Sequence, residues 1–385
     1  MDQPRRIPAR LERPSGSEEG LGTSVGTRSQ QSHPPKSICE IKEGHGSLKR
    51  GKRCRRGSGN FGEASGGKEC FPLKHSARDH FPSRIALVAP AGIVDEVRLK
   101  RGLRNLERVF PEVEFLRGAN LSRRLGYFSA GDSERLRELK WAFEESEADV
   151  VWAARGGFGC ARLLERISEK LWRRWADSGK ILAGFSDITA LLVRFAQFGG
   201  RAIHSPMPAA DLGEHPSRRM LLHLRDLLQG RRPLPISFRN PFSLQKHPRE
   251  LNISRGRLSA GNLVVFASLC GTPFQPEGTG RVIFLEEVNE EPYRVDRLLT
   301  QLRCAGFFRG ARAVVFGTMR GCVPESPARS FTITETLKRF ARDSGCRVLK
   351  GFPFGHGRCN LALPLNERVE IVEQGPMVTV KILGV

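Results

Sequence analysis

None of the nine cysteines stands in a CxxC pair or in a short Cys/His cluster at metal-ligand spacing, so neither a disulfide scaffold nor a structural zinc site is expected. No uncharged apolar run reaches the ~18 residues that a membrane span needs. The amino terminus, MDQPRRIPARLERPSGSEEG, is basic but lacks the apolar stretch of a secretory signal. No internal repeat is found, so the chain is not a stack of copies of one unit. A reducing cytoplasm fits these absences best.

What the chain has in excess is positive charge. Its 385 residues carry a formal net charge of +22, with 39% hydrophobic residues, ordinary for a globular core. The first 80 residues hold +7 of that charge, leaving +15 for the rest. Such a balance attracts phosphates, nucleic acid, anionic membrane surfaces or carboxylate-bearing substrates without choosing among them.

Residues 1–80 are rich in Gly, Ser, Pro, Lys and Arg, lack apolar periodicity and include the basic cluster LKRGKRCRRGSG. They read as a disordered basic extension. It could serve as a nucleic-acid or membrane-binding arm, or be a solvated tail, or result from a start codon upstream of the true one. Order begins at RIALVAPAG, a continuous apolar strand of the kind buried on both faces of a parallel sheet. Helical and strand patterns then alternate: VDEVRLKRGLRNLERVF, VEFLRG, DSERLRELKWAFEES with Arg135 and Glu138 on its outer face, ADVVWAARGGFG, one helix over ARLLERISEKLWRRWAD, and ILAGF. This alternation predicts a doubly wound, mostly parallel α/β domain over 83–235. A proline-broken linker at 236–253 follows, and then a smaller mixed, β-rich α/β domain over 254–385.

Where the strand ILAGF ends, Gly184-Phe185-Ser186-Asp187 turns straight into an amphipathic helix. A serine at such a turn is pushed out beside the amides of a helix start, which suits a nucleophile. It is also the place for an ordinary N-cap, and Ile188 replaces the glycine that closes G-x-S-x-G. Two later segments offer partners. Glu286 and Glu287 close the strand RVIFLEE, and strand alternation predicts that only one of them faces a site. His356 stands between glycines in FGHGR, with His204 in RAIHSPMP as its rival. His215, His223 and His247 occupy polar stretches and read as solvated. Arg155-Gly156-Gly157-Phe158-Gly159 ends one strand and opens a helix, so its amides could bind an anion. Its G-G-x-G spacing is not the dinucleotide fingerprint.

Six segments in order, VAPAG (88–92), RGGFG (155–159), GFSDIT (184–189), AGNL (260–263), FLEEVNEEPYRVDR (284–297) and FGHG (354–357), resemble the LD-carboxypeptidase family of serine peptidases. These enzymes are also called muramoyltetrapeptide carboxypeptidases, and microcin self-immunity proteins are their relatives. The resemblance implies Ser186 as nucleophile, Glu286 as the carboxylate, His356 as the base, and an oxyanion hole from the backbone N–H groups of Gly157 and Asp187. It further implies a murein peptide substrate that loses its terminal D-alanine in peptidoglycan recycling, a homodimer, and no metal or organic cofactor. The chain departs from the family in His204-Ser205-Pro206, where a glycine is commoner at the middle position, and in its 80-residue extension.

Two other readings compete. In a microcin-type amidase the same residues would act on peptidyl or aminoacyl nucleotides. All four tryptophans precede Ser186, however, and none lies in the Glu286 loop, which gives base stacking little support. A non-catalytic α/β binding module with a nucleic-acid-binding arm would account for the charge but not for the three hydrolase residues in motif context.

Overall fold

The computed structural model describes residues 82–214, 216–242 and 251–384. The basic extension, together with His215 and His247, lies outside them. Among the described residues the chain alternates strands and helices from its first element. β1 (Arg84–Val88), α1 (Glu96–Glu107), β2 (Glu114–Arg117), α2 (Asp132–Lys140) and β3 (Val150–Ala153) are followed by α3 (Ala161–Leu164), α4 (Glu169–Asp177), β4 (Ile181–Gly184), α5 (Thr189–Gln197), β5 (Arg201–His204) and α6 (Arg218–Leu228). Next come β6 (Ile236–Arg239), β7 (Leu251–Asn262), α7 (Leu263–Leu269), β8 (Arg281–Val288), α8 (Pro292–Cys304), β9 (Ala313–Arg320), α9 (Ile333–Asp343), β10 (Val348–Lys350), β11 (Leu363–Pro364), β12 (Arg368–Gln374) and β13 (Met377–Ile382).

Two sheets result. The first has six strands in the order β11-β5-β4-β3-β1-β2, with β1 to β5 parallel and β11 antiparallel at the edge. Every residue of β3 and β4 is buried, as expected where helices cover both faces of a parallel sheet. The second sheet has seven strands in the order β10-β9-β8-β7-β12-β13-β6. β7 to β10 are parallel, and the β12–β13 hairpin and β6 run antiparallel. Both sheets belong to one compact unit. They exchange edges: β6 comes from the stretch read as a linker, whereas β11, from the C-terminal part of the chain, pairs with β5 of the first sheet.

Three local expectations need correction. The helix read over 161–177 is two helices, because Ser168 caps α4 by accepting from Leu171 N while Ile167 dips into the core. Arg135 and Glu138 do not face outward on α2. They are 0% and 5% exposed, each satisfied by backbone groups of neighbouring loops, because α2 packs this face against the ends of the sheet. His223 is not solvated either; it is buried on α6 with Nε2 at 2.8 Å from the Ala362 carbonyl.

The order of the first sheet fixes where a ligand can bind. From β1 the parallel strands are added outward to β2 on one side and to β3, β4 and β5 on the other, so the crevice of an open α/β sheet lies at the carboxyl ends of β1 and β3. The loops VAPAG and RGGFG leave the sheet at that point, and Ser186 follows β4 one strand further on.

Candidate active site

Ser186 opens a short 3-10 turn, Ser186–Ile188, between β4 and α5. Its φ is +63°, the left-handed region that a non-glycine residue enters only when its surroundings hold it there. Gly184, just before it, has φ +155°, and a Cβ there would press on Ile188 and Ala153 at 3.0 to 3.2 Å. The RGGFG loop comes directly over the serine. A Cβ on Gly156 would lie 2.8 Å from Ser186 Cβ and 3.0 Å from its Oγ, so only glycine admits this approach. Gly156 O accepts from Gly92 N at 3.0 Å, and Gly157, at φ +120°, rests against Gly92. On the other side Asp187 is 6% exposed, and its Oδ2 accepts from Cys160 N at 2.8 Å. Burial raises the Asp187 carboxyl above its usual range, only partly offset by that amide and by Arg135. Gly156 of the RGGFG loop and Asp187 thus flank the serine in space, and Gly157 follows Gly156 against Gly92.

Glu286 and His356 meet in the second half of the chain. His356 Nδ1 is 2.7 Å from Glu286 Oε2, and the His356 backbone N–H donates to the same oxygen at 3.1 Å. Glycine again makes the approach possible: Gly355 has φ +90°, and a Cβ there would fall 2.5 Å from Glu286. Gly355 N donates to Asn360 Oδ1 at 2.8 Å, which fixes the loop from beneath. Burial opposes the charge on Glu286, but the hydrogen bond and charge of His356 outweigh it and hold the carboxyl below its ordinary value. For His356 burial likewise works against the proton, and Glu286 overcomes it, placing the imidazole above its ordinary value with smaller help from Asp211 and Glu287.

Of the two adjacent glutamates only Glu286 bonds His356, yet Glu287 does not turn to solvent. A bulge in the β8–β9 ladder falls between Leu285 and Glu287, and both carboxylates are buried, at 0% and 2% exposure. Asn262, at the end of β7, bridges them through Nδ2, 3.3 Å from Glu286 Oε1 and 3.0 Å from Glu287 Oε1. Its side-chain oxygen caps α7 and its backbone N–H donates to Thr189 Oγ1 at 3.1 Å. One asparagine therefore ties the helix that follows Ser186 to the carboxylate beside His356. Its place in AGNL, before an apolar helix, was the available signal, but an N-cap explains that signal without any further role.

The rival His204 is fully buried between the rings of Phe185 (5.5 Å) and Phe354 (5.2 Å), and neither of its nitrogens hydrogen-bonds among the described residues. Burial pulls its pKa down to about 4, so it stays neutral; Glu286 bonds His356 instead. Between Ser186 and His356 there is no hydrogen bond among the described residues. Phe185 bridges them, its ring centroid 4.7 Å from that of the imidazole. Catalytic hydrogen bonds of apo sites commonly tighten only with substrate bound. Among the described residues no group of His, Cys, Asp and Glu is arranged to hold a metal ion, and no helix is long and apolar enough to cross a membrane.

Known proteins resemble both halves of the chain. Residues 85–205 match the LD-carboxypeptidase N-terminal domain and residues 255–371 the LD-carboxypeptidase C-terminal domain. A murein tetrapeptide carboxypeptidase of Pseudomonas aeruginosa is 32% identical over 73% of this chain and 90% of its own length. The crystal structure of a muramoyltetrapeptide carboxypeptidase from Oxalobacter formigenes superposes with a TM-score of 0.68 at 26% identity, covering 78% of this chain and 99% of that one. The microcin C7 self-immunity protein MccF also reaches a TM-score of 0.68, covering 82% of this chain and 100% of its own, but at 19% identity this likeness shows the fold alone. The reading as a non-catalytic binding module is thereby set aside: the chain belongs to the LD-carboxypeptidase family and is a hydrolase, a carboxypeptidase of the serine-peptidase type.

Proposed function

We propose that this protein is a murein tetrapeptide carboxypeptidase that removes the terminal D-alanine across an L,D peptide bond, with Ser186, Glu286 and His356 as its triad. The observation that carries the reading is the 2.7 Å pairing of buried Glu286 with His356 Nδ1, which leaves Nε2 as the nitrogen free to take a proton. Ser186 Oγ attacks the scissile carbonyl as His356 Nε2 accepts its proton. The carbonyl oxygen becomes an oxyanion held by the backbone N–H groups of Gly157 and Asp187. The tetrahedral species collapses, the C–N bond breaks, and His356 returns the proton to the departing amine of D-alanine. Water, deprotonated by the same imidazole, then attacks the acyl carbon, the bond to Ser186 Oγ breaks, and His356 returns the proton to that oxygen. Glu286 fixes the ring tautomer and stabilises the imidazolium at each stage.

The reaction needs no metal or organic cofactor, and the positive charge of the chain favours a substrate with a free terminal carboxylate. The division into a serine domain over 83–235 and a Glu/His domain over 254–385, a homodimer and a cytoplasmic location complete the proposal. Its test is release of free D-alanine from purified murein tetrapeptide, with Ser186→Ala as control. Equal release by both proteins, or none by either, rejects it.

A further inference from the structure

α2 buries a full arginine side chain, and two of its four polar partners, Pro90 O and Gly159 O, lie in the loops around Ser186. Arg135 Nε donates to Ala130 O at 3.1 Å, Nη1 to Gly159 O at 3.0 Å and to Pro90 O, and Nη2 to Asp132 Oδ1 at 2.6 Å. Its guanidinium also lies over the Phe128 ring, 4.7 Å from the centroid. Pro90 belongs to the VAPAG loop and Gly159 to RGGFG, so a single planar group holds the two loops that meet at Gly92 and Gly156. Gly159 is shaped for it: at φ +131°, a Cβ there would fall 2.6 Å from Nη1. The next residue, Cys160, donates its N–H to Asp187, the residue after the serine. A continuous set of contacts thus runs from Asp132 through Arg135 to both sides of the Ser186 turn. A buried guanidinium is retained at a desolvation cost that only complete, directional pairing offsets.

We propose that Arg135 is a positioning residue for the reaction, holding the Gly156-Gly157 backbone at the distance from Ser186 at which its amides meet the oxyanion. The inference rests on the hydrolytic reading above. Lysine cannot replace it, because one ammonium cannot reach Ala130, Pro90, Gly159 and Asp132 together. Glu138 supplies the internal contrast. It lies one turn along the same face and accepts from Ala89 N, which shares the VAPAG loop with Pro90, and from Asn120 N, both at 2.7 Å, but makes no hydrogen bond to the RGGFG residues 156–159. Its loss weakens the fold and leaves the amides over the serine in place.

The test measures Arg135→Lys, Arg135→Met and Glu138→Gln in the full chain. Active sites are counted by titration with a fluorophosphonate, which loses fluoride to the serine through five-coordinate phosphorus and leaves a phosphoryl oxygen where the oxyanion of the acyl reaction would lie. Expected for both Arg135 variants are a fall in kcat per titrated site of about 10- to 100-fold, with KM within about threefold, and a similar fall in the labelling rate. Glu138→Gln is expected to lower Tm while keeping kcat per site within about threefold. Should the Arg135 variants fail to fold, Asp132→Asn, which frees one side of the guanidinium, is expected to reduce the labelling rate about threefold or more. Full kcat per site in the Arg135 variants, or in Asp132→Asn where it is the one that folds, overturns the proposal, as does an equal loss in Glu138→Gln. The labelling rate keeps this outcome separate from the identity of the substrate. Wild-type protein that labels at Ser186 but releases no D-alanine rejects the murein reading alone, whereas wild-type protein that does not label rejects both.

Discussion

The serine turn and the Glu286–His356 pair are built by different means. Around Ser186 the working groups are backbone: amides, a left-handed dihedral, and glycines at 156, 157 and 184 whose missing side chains allow close approach. Around His356 they are side chains, two of them buried carboxylates, held by an asparagine and a bulge. The first arrangement is rigid because sterics leave it little room, the second because burying a charge forces every lone pair to find a partner. Steric change should therefore disable the serine turn, and electrostatic change the acid–base pair.

Ser186→Ala separates the two regions most sharply. D-alanine release should fall on the order of 10⁴-fold or more, with the circular dichroism spectrum and the Glu286–His356 pair intact. Glu286→Gln should come next, with kcat down about 10³- to 10⁴-fold because the ring loses its tautomer partner. Its pH profile carries a second signature. The base works only as neutral imidazole, and Glu286 raises the His356 pKa, so in the wild type kcat/KM should fall with decreasing pH through a limb above the ordinary histidine value. With the carboxylate gone, burial is opposed only by the smaller effects of Asp211 and Glu287, and any residual activity should show that limb moved to lower pH. A limb unmoved in Glu286→Gln would break the electrostatic half of the comparison.

Gly156→Ala tests the steric half. A Cβ 2.8 Å from Ser186 Cβ must displace either the loop or the serine, and about a 100-fold loss in kcat is expected, with the pH limb unchanged. The smallest expected effect is on Asn262→Ala, which leaves Glu286 and Glu287 each short of a donor and α7 uncapped. Urea unfolding should show about 1–3 kcal/mol of lost stability.

The same contrast explains what could be read in advance. Turn glycines and a serine after an apolar strand are local signals, and the parallel first sheet follows from alternating periods of strand and helix. The facing of Glu287, Arg135 and Glu138 was not legible. Alternation predicts that one of two adjacent glutamates faces a site and leaves the surroundings of the other open, and a charged residue on a helix reads as outward unless its partners are known. Those partners, Val264 N for Glu287, Pro90 O for Arg135 and Ala89 N for Glu138, lie 23, 45 and 49 residues away in the chain.

By itself the sequence determined the strand–helix alternation of the first sheet, the two-part α/β organisation and the local chemistry of each motif, because backbone propensity, hydrophobic period and glycine sterics act over a few residues. Only the tertiary structure decided that His356 rather than His204 pairs with Glu286, that both glutamates are buried, and that Asn262 and Arg135 tie the halves of the site to their surroundings. Those outcomes depend on which distant groups share a dehydrated space, and burial makes each charge there take the partner that the fold brings to it.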